Sequence, residues 1–308
     1  MVEVPVIVGS SRLSGVIPVI VGSTGSGKTG VAIEVAREVG RLMGLPEGEV
    51  GGEVISADSR AIYKYMDIGT AKPSREDGAV VGRFYDGLVT HWGVDLVEPG
   101  ERFTVADWKE YAERKIAEIE GRGHLPIVAG GTGLYVDALV FDYQFGKGEG
   151  EGGGKKLQEE SGSRGKNLQE GSESRGKNLQ HRNIEPVDRE EMSPKYKVYG
   201  IKWEMDELRE RLRQRAEGMF NEKLYAETEF LVKKYGWGSQ AMKSNIYQFA
   251  WEYVEGKCAR EEAVARAMYD DYHLAKRQMT WFKRNKEIVW LPLGEVKDAV
   301  LSDIEKKL

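Results

Sequence analysis

Eight residues near the start of the chain have the types and spacing of a phosphate-binding loop. Residues 22–29 read GSTGSGKT and match the pattern G-x-x-x-x-G-K-[ST] without a mismatch. Glycines let successive backbone N–H groups point at one anion, and a helix N-terminus favours negative charge. The Lys28 side chain can reach phosphate oxygens, and the Thr29 hydroxyl can ligate Mg²⁺. The predicted phosphate-binding residues are Gly22, Ser23, Thr24, Gly25, Ser26, Gly27, Lys28 and Thr29.

The segments around this loop predict the strand–turn–helix unit that it requires. Residues 17–21, IPVIV, are short, apolar and β-branched, which indicates a buried strand. Residues 31–39 carry apolar side chains at helical spacing. A second strand over 53–58 ends in a polar turn. In a parallel sheet, that end places Asp58 near the phosphate loop.

A second glycine turn is predicted at the same edge of the sheet. Residues 125–129, LPIVA, form a third buried strand that runs into residues 130–135, GGTGLY. Before it, a helix is expected from about 104 to 122, with Thr104 as N-cap and Asp107 three residues on. Two glycine turns at one edge indicate a site built by two loops.

The rest of the chain consists of one polar stretch followed by a region that is mainly helical. Beyond a strand at 197–203, helices are expected at about 206–219, 221–235, 240–255 and 260–285, followed by a strand at 288–291 and a helix at 295–308. The predicted fold class is therefore α/β. It is a P-loop NTPase-like parallel sheet flanked by helices, with a C-terminal helical part.

Composition divides the chain into four parts. Residues 1–16 are an N-terminal arm, residues 17–145 a P-loop α/β core, and residues 187–308 a C-terminal part that completes the core. Residues 146–186 are rich in Gly, Ser, Glu and Lys, and their segment SRGKNLQ occurs twice. Because such a stretch buries too little apolar surface to offset its ordering entropy, we expect a flexible linker.

Charge and cysteine content exclude several classes. The net charge is -5, so any nucleic-acid contact requires a local basic patch. One cysteine rules out a disulfide framework and a Cys-ligated zinc site. No apolar run has membrane-spanning length and the first residues lack a basic leader, so we expect a cytoplasmic protein without a membrane partner.

Two segments combine cations with aromatic residues. Residues 59–72, SRAIYKYMDIGTAK, are expected at the surface, where Tyr63 and Tyr65 either contact a substrate or only pack. Residues 276–284, KRQMTWFKR, suit a nucleic-acid backbone contact, although an amphipathic helix with Trp281 and Phe282 in the core explains them equally.

Together these segments resemble the tRNA dimethylallyltransferase family, whose members prenylate N6 of adenosine 37 beside the anticodon. The resemblance rests on GSTGSGKT, ISADSRAIYKYMDIGTAKP, FTVADW, PIVAGGTGLY and AKRQMTWF, which occur in the family's order. It covers residues 19–143 densely and 195–291 more loosely. In place of the family's helical insertion, this chain has the linker at 146–186.

The resemblance implies roles for individual residues. Asp58 matches the general base, Thr24 and Lys28 match diphosphate-binding positions, and Arg215 matches the arginine that holds the leaving diphosphate. Thr29 would lie near Mg²⁺, the implied cofactor. The implied partners are dimethylallyl diphosphate and the anticodon stem-loop of a tRNA, bound by a monomer. The implied tRNA contacts are Asp58, Ser59, Arg60, Ala61, Thr132, Lys276 and Arg277.

Three other functions stay open at this stage. The missing insertion favours an adenylate isopentenyltransferase that acts on free AMP, ADP or ATP. The bare phosphate loop also fits a small-molecule kinase. Finally, Asp271 and Tyr272 stand where the family has a Thr-Arg pair, and such departures fit an RNA-binding relative that has lost turnover.

Overall fold

Parallel strands form the centre of the molecule. The computed structural model describes residues 15–73, 79–81, 89–145, 191–239 and 241–307. The strands in these ranges are β1 (Ile17–Val21), β2 (Gly52–Ser56), β3 (Ala79–Val81), β4 (Val89–Trp92), β5 (Leu125–Gly130), β6 (Tyr196–Lys202) and β7 (Val289–Pro292). They form one seven-stranded sheet in the order β3-β4-β2-β5-β1-β6-β7, and each neighbouring pair is parallel.

Helices connect the strands and form a C-terminal bundle. Their bounds are α1 (Lys28–Leu42), α2 (Val105–Gly121), α3 (Gly133–Val140), α4 (Met205–Met219), α5 (Glu222–Tyr235), α6 (Asn245–Val254), α7 (Arg260–Phe282) and α8 (Leu293–Glu305). The predicted α/β class with a parallel sheet flanked by helices is confirmed. The strands β6 and β7 from the C-terminal part complete the sheet beside β1.

Apolar side chains fill both faces of the sheet. On one face, α1 packs on β1, β2 and β5 and α8 packs on β6, through residues such as Val35, Ile127 and Val296. On the other, α2 and α3 cover the strands through Trp108, Ile116 and others. Because both faces are covered, the strands read as continuous apolar runs, and this is why β1 and β5 were recognisable from sequence.

A third core belongs to the C-terminal helices and corrects one prediction. Residues 59–72 were expected at the surface, but Ile62, Tyr63 and Met66 are buried against α4, α5, α6 and α7. Tyr63 packs in this core, whereas Tyr65 is 43% exposed, and a substrate contact of either tyrosine stays a prediction. The segment was misjudged because its apolar residues have no regular period, and their partners lie far away in sequence.

Element boundaries agree with the predictions to within a few residues in most cases. Thr104 caps α2 as expected: its hydroxyl accepts the Asp107 N–H (3.2 Å) and the Asp107 carboxylate accepts the Thr104 N–H (2.7 Å). The helix α6 begins five residues later than predicted, because residues 241–243 form a 3₁₀ turn. The strands β3 and β4 were not predicted, since three and four residues are too few for a periodic signal.

Glu53 is a fully buried carboxylate in β2 with three donors around it. Arg122 Nη2 donates at 2.8 Å and Trp92 Nε1 at 2.6 Å, while His124 Nδ1 lies 2.9 Å away. Burial opposes ionisation, but these hydrogen bonds outweigh it and lower the pKa of Glu53 to about 2. The network ties β2 to the end of α2 and to β4.

Two predicted segments are not part of this description. Residues 1–14 of the N-terminal arm and the linker at 146–186 lie outside the described residues. Throughout the part of the chain that is described, no helix is both long and apolar enough to cross a bilayer.

Candidate active site

The phosphate loop lies between β1 and α1 in the predicted position. Gly25 (φ 71°) and Gly27 (φ 94°) adopt left-handed backbone conformations that disfavour side chains. A Cβ at Gly25 would also lie 2.7 Å from Leu212 Cδ2 of α4. Gly27 is the N-cap of α1 and supplies no capping side chain, so the first N–H groups of α1 are left to bind an anion.

Backbone oxygens of the loop are held by side chains from several elements. Three donors bind them: Lys28 Nζ to Ser23 O (2.6 Å), Trp203 Nε1 to Ser26 O (3.0 Å) and Arg211 Nε to Gly25 O (3.1 Å). Arg211 also lies over the Trp203 ring, with its guanidinium carbon 4.6 Å from the ring centre. These bonds fix the conformation of the loop at three of its carbonyl groups.

Lys28 is the cation inside the loop, and its charge is costly there. Burial lowers the pKa of Lys28 to about 8; the positive charge of Arg215 acts in the same direction and the carboxylate of Asp58 opposes both. An anion in the cleft would stabilise the ammonium form. The buried ammonium of Lys28 therefore gains stability when an anion binds beside it.

Asp58 follows β2 at the same edge of the sheet, as predicted. Its Oδ1 accepts the Arg60 N–H at 2.8 Å, which fixes the turn after the strand. The next residue, Ser59, donates its N–H to Thr132 Oγ1 at 2.9 Å and thereby joins this turn to the second glycine turn. Gly130 permits the close approach, since a Cβ there would lie 2.2 Å from Ala57 O.

Arg215 reaches the phosphate loop from α4. Its Nη1 donates to Thr24 Oγ1 at 2.5 Å and to Asp271 Oδ2 of α7 at 2.8 Å. Arg215 and Thr24 are thus brought together, whereas their roles toward a diphosphate stay predictions. Asp271 was noted in the sequence only as a departure from the family pattern. Burial raises the pKa of the Asp271 carboxyl, and the charge of Arg215 opposes that shift.

Gln278 joins the two glycine turns and was not singled out from the sequence. Its Oε1 accepts the Thr24 N–H at 2.7 Å, and its Nε2 donates to Gly131 O at 2.9 Å. The only sequence signal for this role was its place in AKRQMTWF, beside the cations that attracted attention. Arg211 and Trp203 were missed similarly, because contacts with backbone oxygens leave no pattern in the sequence.

One cleft with a volume of about 1010 Å³ is lined by Lys28, Asp58, Thr132, Arg211, Arg215, Asp271 and Gln278. Its walls include the phosphate loop, the turn after β2, the second glycine turn, and α4, α6 and α7. Six of the seven residues predicted to contact tRNA line it: Asp58, Ser59, Arg60, Ala61, Thr132 and Arg277. Lys276 is exposed but does not line the cleft; its ammonium lies 4.4 Å from the centre of the Tyr272 ring. The tRNA contacts themselves stay predictions.

The residues present fit an Mg²⁺ ion that arrives with a diphosphate. Thr29 is exposed and lines the cleft, so its hydroxyl is available as a ligand. Among the described residues, no group of three or more His, Cys, Asp or Glu side chains is arranged to hold a metal. An Mg²⁺ ion usually takes few protein ligands and completes its shell with phosphate oxygens and water. The Mg²⁺ assignment stays a prediction.

Fold and site define a P-loop α/β enzyme in which a carboxylate and an anion-binding loop line the same cleft. The model of the IPP transferase family matches residues 61–193 and 153–285 of this chain. A tRNA dimethylallyltransferase of Bacillus anthracis is 32% identical over 320 residues, which cover 95% of this chain and 96% of the relative. The chain therefore belongs to the IPP transferase family, a family of prenyltransferases.

Solved structures agree with this assignment. A tRNA isopentenylpyrophosphate transferase of Bacillus halodurans is 25% identical, with a TM-score of 0.66 over 95% of this chain and 97% of the other. A tRNA delta(2)-isopentenylpyrophosphate transferase of Staphylococcus epidermidis is also 25% identical, with a TM-score of 0.65 over 95% of this chain and 99% of the other. The described fold is thus the fold of these transferases.

Proposed function

We propose that the protein transfers a dimethylallyl group from dimethylallyl diphosphate to N6 of adenosine 37 in tRNA and releases diphosphate. The observation that carries the proposal is the placement of Asp58 and the phosphate loop in one cleft, with Arg215 joined to Thr24. The relatives named above act on tRNA, and the segments that resemble the family line this cleft.

The leaving group determines what the loop must do. When the bond between the allylic carbon and the diphosphate oxygen breaks, its electron pair stays on the diphosphate and the carbon becomes cationic. Backbone N–H groups of the loop, Lys28 and Arg215 are positioned to stabilise the growing negative charge. A Mg²⁺ ion held through the Thr29 hydroxyl would neutralise further diphosphate charge.

The acceptor needs a base, and Asp58 is available for this role. Its Oδ1 is used by the Arg60 N–H, so Oδ2 can accept a proton from the adenine amine as the new N–C bond forms. The base has to leave its stack in the anticodon loop to reach this carboxylate. Arg277, which lines the same cleft, can contact RNA phosphates, and so can Arg60, whose Nη1 also donates to Ala241 O at 3.3 Å.

The proposal is tested by offering labelled dimethylallyl diphosphate and Mg²⁺ with one of three acceptors. These are an anticodon stem-loop with adenosines at 36 to 38, AMP, or ATP. Label in the RNA is expected. Label in AMP or ATP would instead establish an adenylate isopentenyltransferase. Phosphate transfer from ATP without prenylation would establish a kinase, and RNA binding without any transfer would establish a non-enzymatic relative.

Asp58→Asn separates chemistry from binding. We expect transfer to fall by about 10²- to 10⁴-fold, the usual contribution of a general base, while diphosphate binding stays nearly unchanged. Asp298→Asn, which changes an exposed aspartate of α8, is the control and should retain wild-type transfer. Unchanged turnover in Asp58→Asn would remove Asp58 as the base.

A further inference from the structure

The proposed function leaves one acidic group of the site unexplained. Asp271 projects from α7 into a cleft that has to receive a diphosphate, although a second negative charge there should repel the substrate. It is paired with Arg215 at 2.8 Å, and the two side chains are only 28% and 25% exposed. A carboxylate that is tolerated at this place needs a role that outweighs the repulsion.

The pairing fixes which edge of the Arg215 guanidinium is available. Both observed bonds use Nη1, which donates to Thr24 Oγ1 and to Asp271 Oδ2. A guanidinium has five N–H donors in a rigid plane. Neither Nε nor Nη2 has a hydrogen-bond partner among the residues that the structure describes. Because both bonds are made by Nη1, the Nε and Nη2 donors of Arg215 stay available to bind two phosphate oxygens at once.

Other groups near the pair do not replace Asp271 as an anchor. The neighbouring carboxylate, Asp270, accepts a hydrogen bond from Asn245 Nδ2 of α6 instead. Arg211 is held by the Gly25 carbonyl. Within the described cleft, Asp271 is thus the acidic side chain that restrains Arg215. Without that restraint, the long Arg215 side chain would keep only its hydrogen bond to the Thr24 hydroxyl.

We propose that Asp271 is a positioning residue that orients Arg215 toward the leaving diphosphate. This rests on the proposed function, because it assumes that a diphosphate is expelled beside Thr24. The loop N–H groups and Lys28 can still bind the donor when Asp271 is absent, so the ground-state complex survives. In the transition state, however, the growing negative charge on the diphosphate is no longer stabilised by an aligned guanidinium. A displacement of that guanidinium by about 1 Å costs up to about 100-fold in rate.

The experiment compares Asp271→Ala with Asp271→Asn in prenyl transfer to the stem-loop. For Asp271→Ala we expect kcat to fall about 10- to 100-fold, with the donor KM within about threefold of wild type. Asp271→Asn keeps an oxygen acceptor for Arg215 Nη1 and should stay within about threefold of wild type in kcat. Glu261→Ala, which removes an exposed acid from the same helix, is the matched control.

A double-mutant cycle distinguishes positioning from a general loss of structure. In an Arg215→Ala background, adding Asp271→Ala should change kcat by less than about twofold, because no guanidinium is left to orient. Thermal unfolding of each variant reports its stability separately. Unchanged kcat in Asp271→Ala, or a lowered donor KM with raised kcat/KM, would overturn the proposal and make Asp271 a competitor of the diphosphate. Wild-type protein without any prenyl transfer would instead refute the proposed function.

Discussion

The bridge that Gln278 makes between the two glycine turns gives a sharp quantitative test. Gln278→Ala removes the bonds to the Thr24 N–H (2.7 Å) and to Gly131 O (2.9 Å). At about 1 kcal/mol net for each bond, the loss is about 2 kcal/mol, which is about 30-fold if it falls on the transition state. We therefore expect single-turnover prenyl transfer to slow about 30-fold, because the loop loses its fixed geometry.

Gly131→Ala reaches the same bridge from the opposite side. A Cβ at Gly131 would lie 2.5 Å from Gln278 Nε2, so the glutamine must move away and both bonds are lost. The nearest atom outside Gln278 is Gly22 O at 3.4 Å, which is an ordinary contact distance. We expect Gly131→Ala to slow transfer by about as much as Gln278→Ala, again about 30-fold.

The double variant is the decisive measurement. If the two changes act through one bridge, Gly131→Ala should add little to Gln278→Ala, and the total should stay near 30-fold. If they acted independently, the effects would multiply to about 900-fold. Rates come from single-turnover transfer at saturating donor, with circular dichroism as the check on folding. A multiplicative result would refute the bridge as the reason for either effect.

Three further predictions concern stability, each measured by urea unfolding. The pKa of Glu53 is lowered from 4.5 to about 2, so the ionised carboxylate stabilises the fold fully above about pH 4.5, and this stabilisation is lost as pH falls toward 2. The shift corresponds to about 3 kcal/mol of unfolding free energy. The loss of unfolding free energy in Glu53→Gln relative to wild type should therefore shrink between about pH 4.5 and about pH 2. Glu227 accepts backbone N–H groups of residues 67–69 at 2.8 to 3.0 Å, so Glu227→Ala should cost about 2 to 4 kcal/mol. Gly133→Ala would place a Cβ 2.2 Å from Trp281 Cδ1 and should cost about 1 to 3 kcal/mol, whereas Gly218→Ala meets nothing within 4 Å and should stabilise by about 0.5 to 1 kcal/mol.

Each stability prediction has a clear contrary result. A constant difference between wild type and Glu53→Gln from pH 6 to pH 2.5 would mean that the carboxylate is not held by its donors. An unchanged unfolding midpoint in Glu227→Ala would mean that water replaces the carboxylate as the acceptor of the N–H groups of residues 67–69. A Gly133→Ala variant as stable as Gly218→Ala would show that Trp281 can move aside.

Sequence alone determined the parts of the protein that depend on neighbouring residues. The phosphate loop is such a part, since its glycines, its lysine and its flanking strand and helix lie within about 25 residues. The Thr104 cap and the buried strands β1 and β5 are others. The position of Asp58 followed from one general rule, because the carboxyl ends of parallel strands share an edge.

Only the tertiary structure decided which distant side chains complete the site. Arg215 and Thr24 are 191 residues apart, and Gln278 and Thr24 are 254 apart. Such pairs depend on how α4 and α7 pack above the sheet, and a single sequence contains no periodic signal for that arrangement. Asp271 shows what could not be predicted from the sequence. In the sequence it is a departure from a family pattern, whereas in the folded protein it is the anchor of the Arg215 guanidinium.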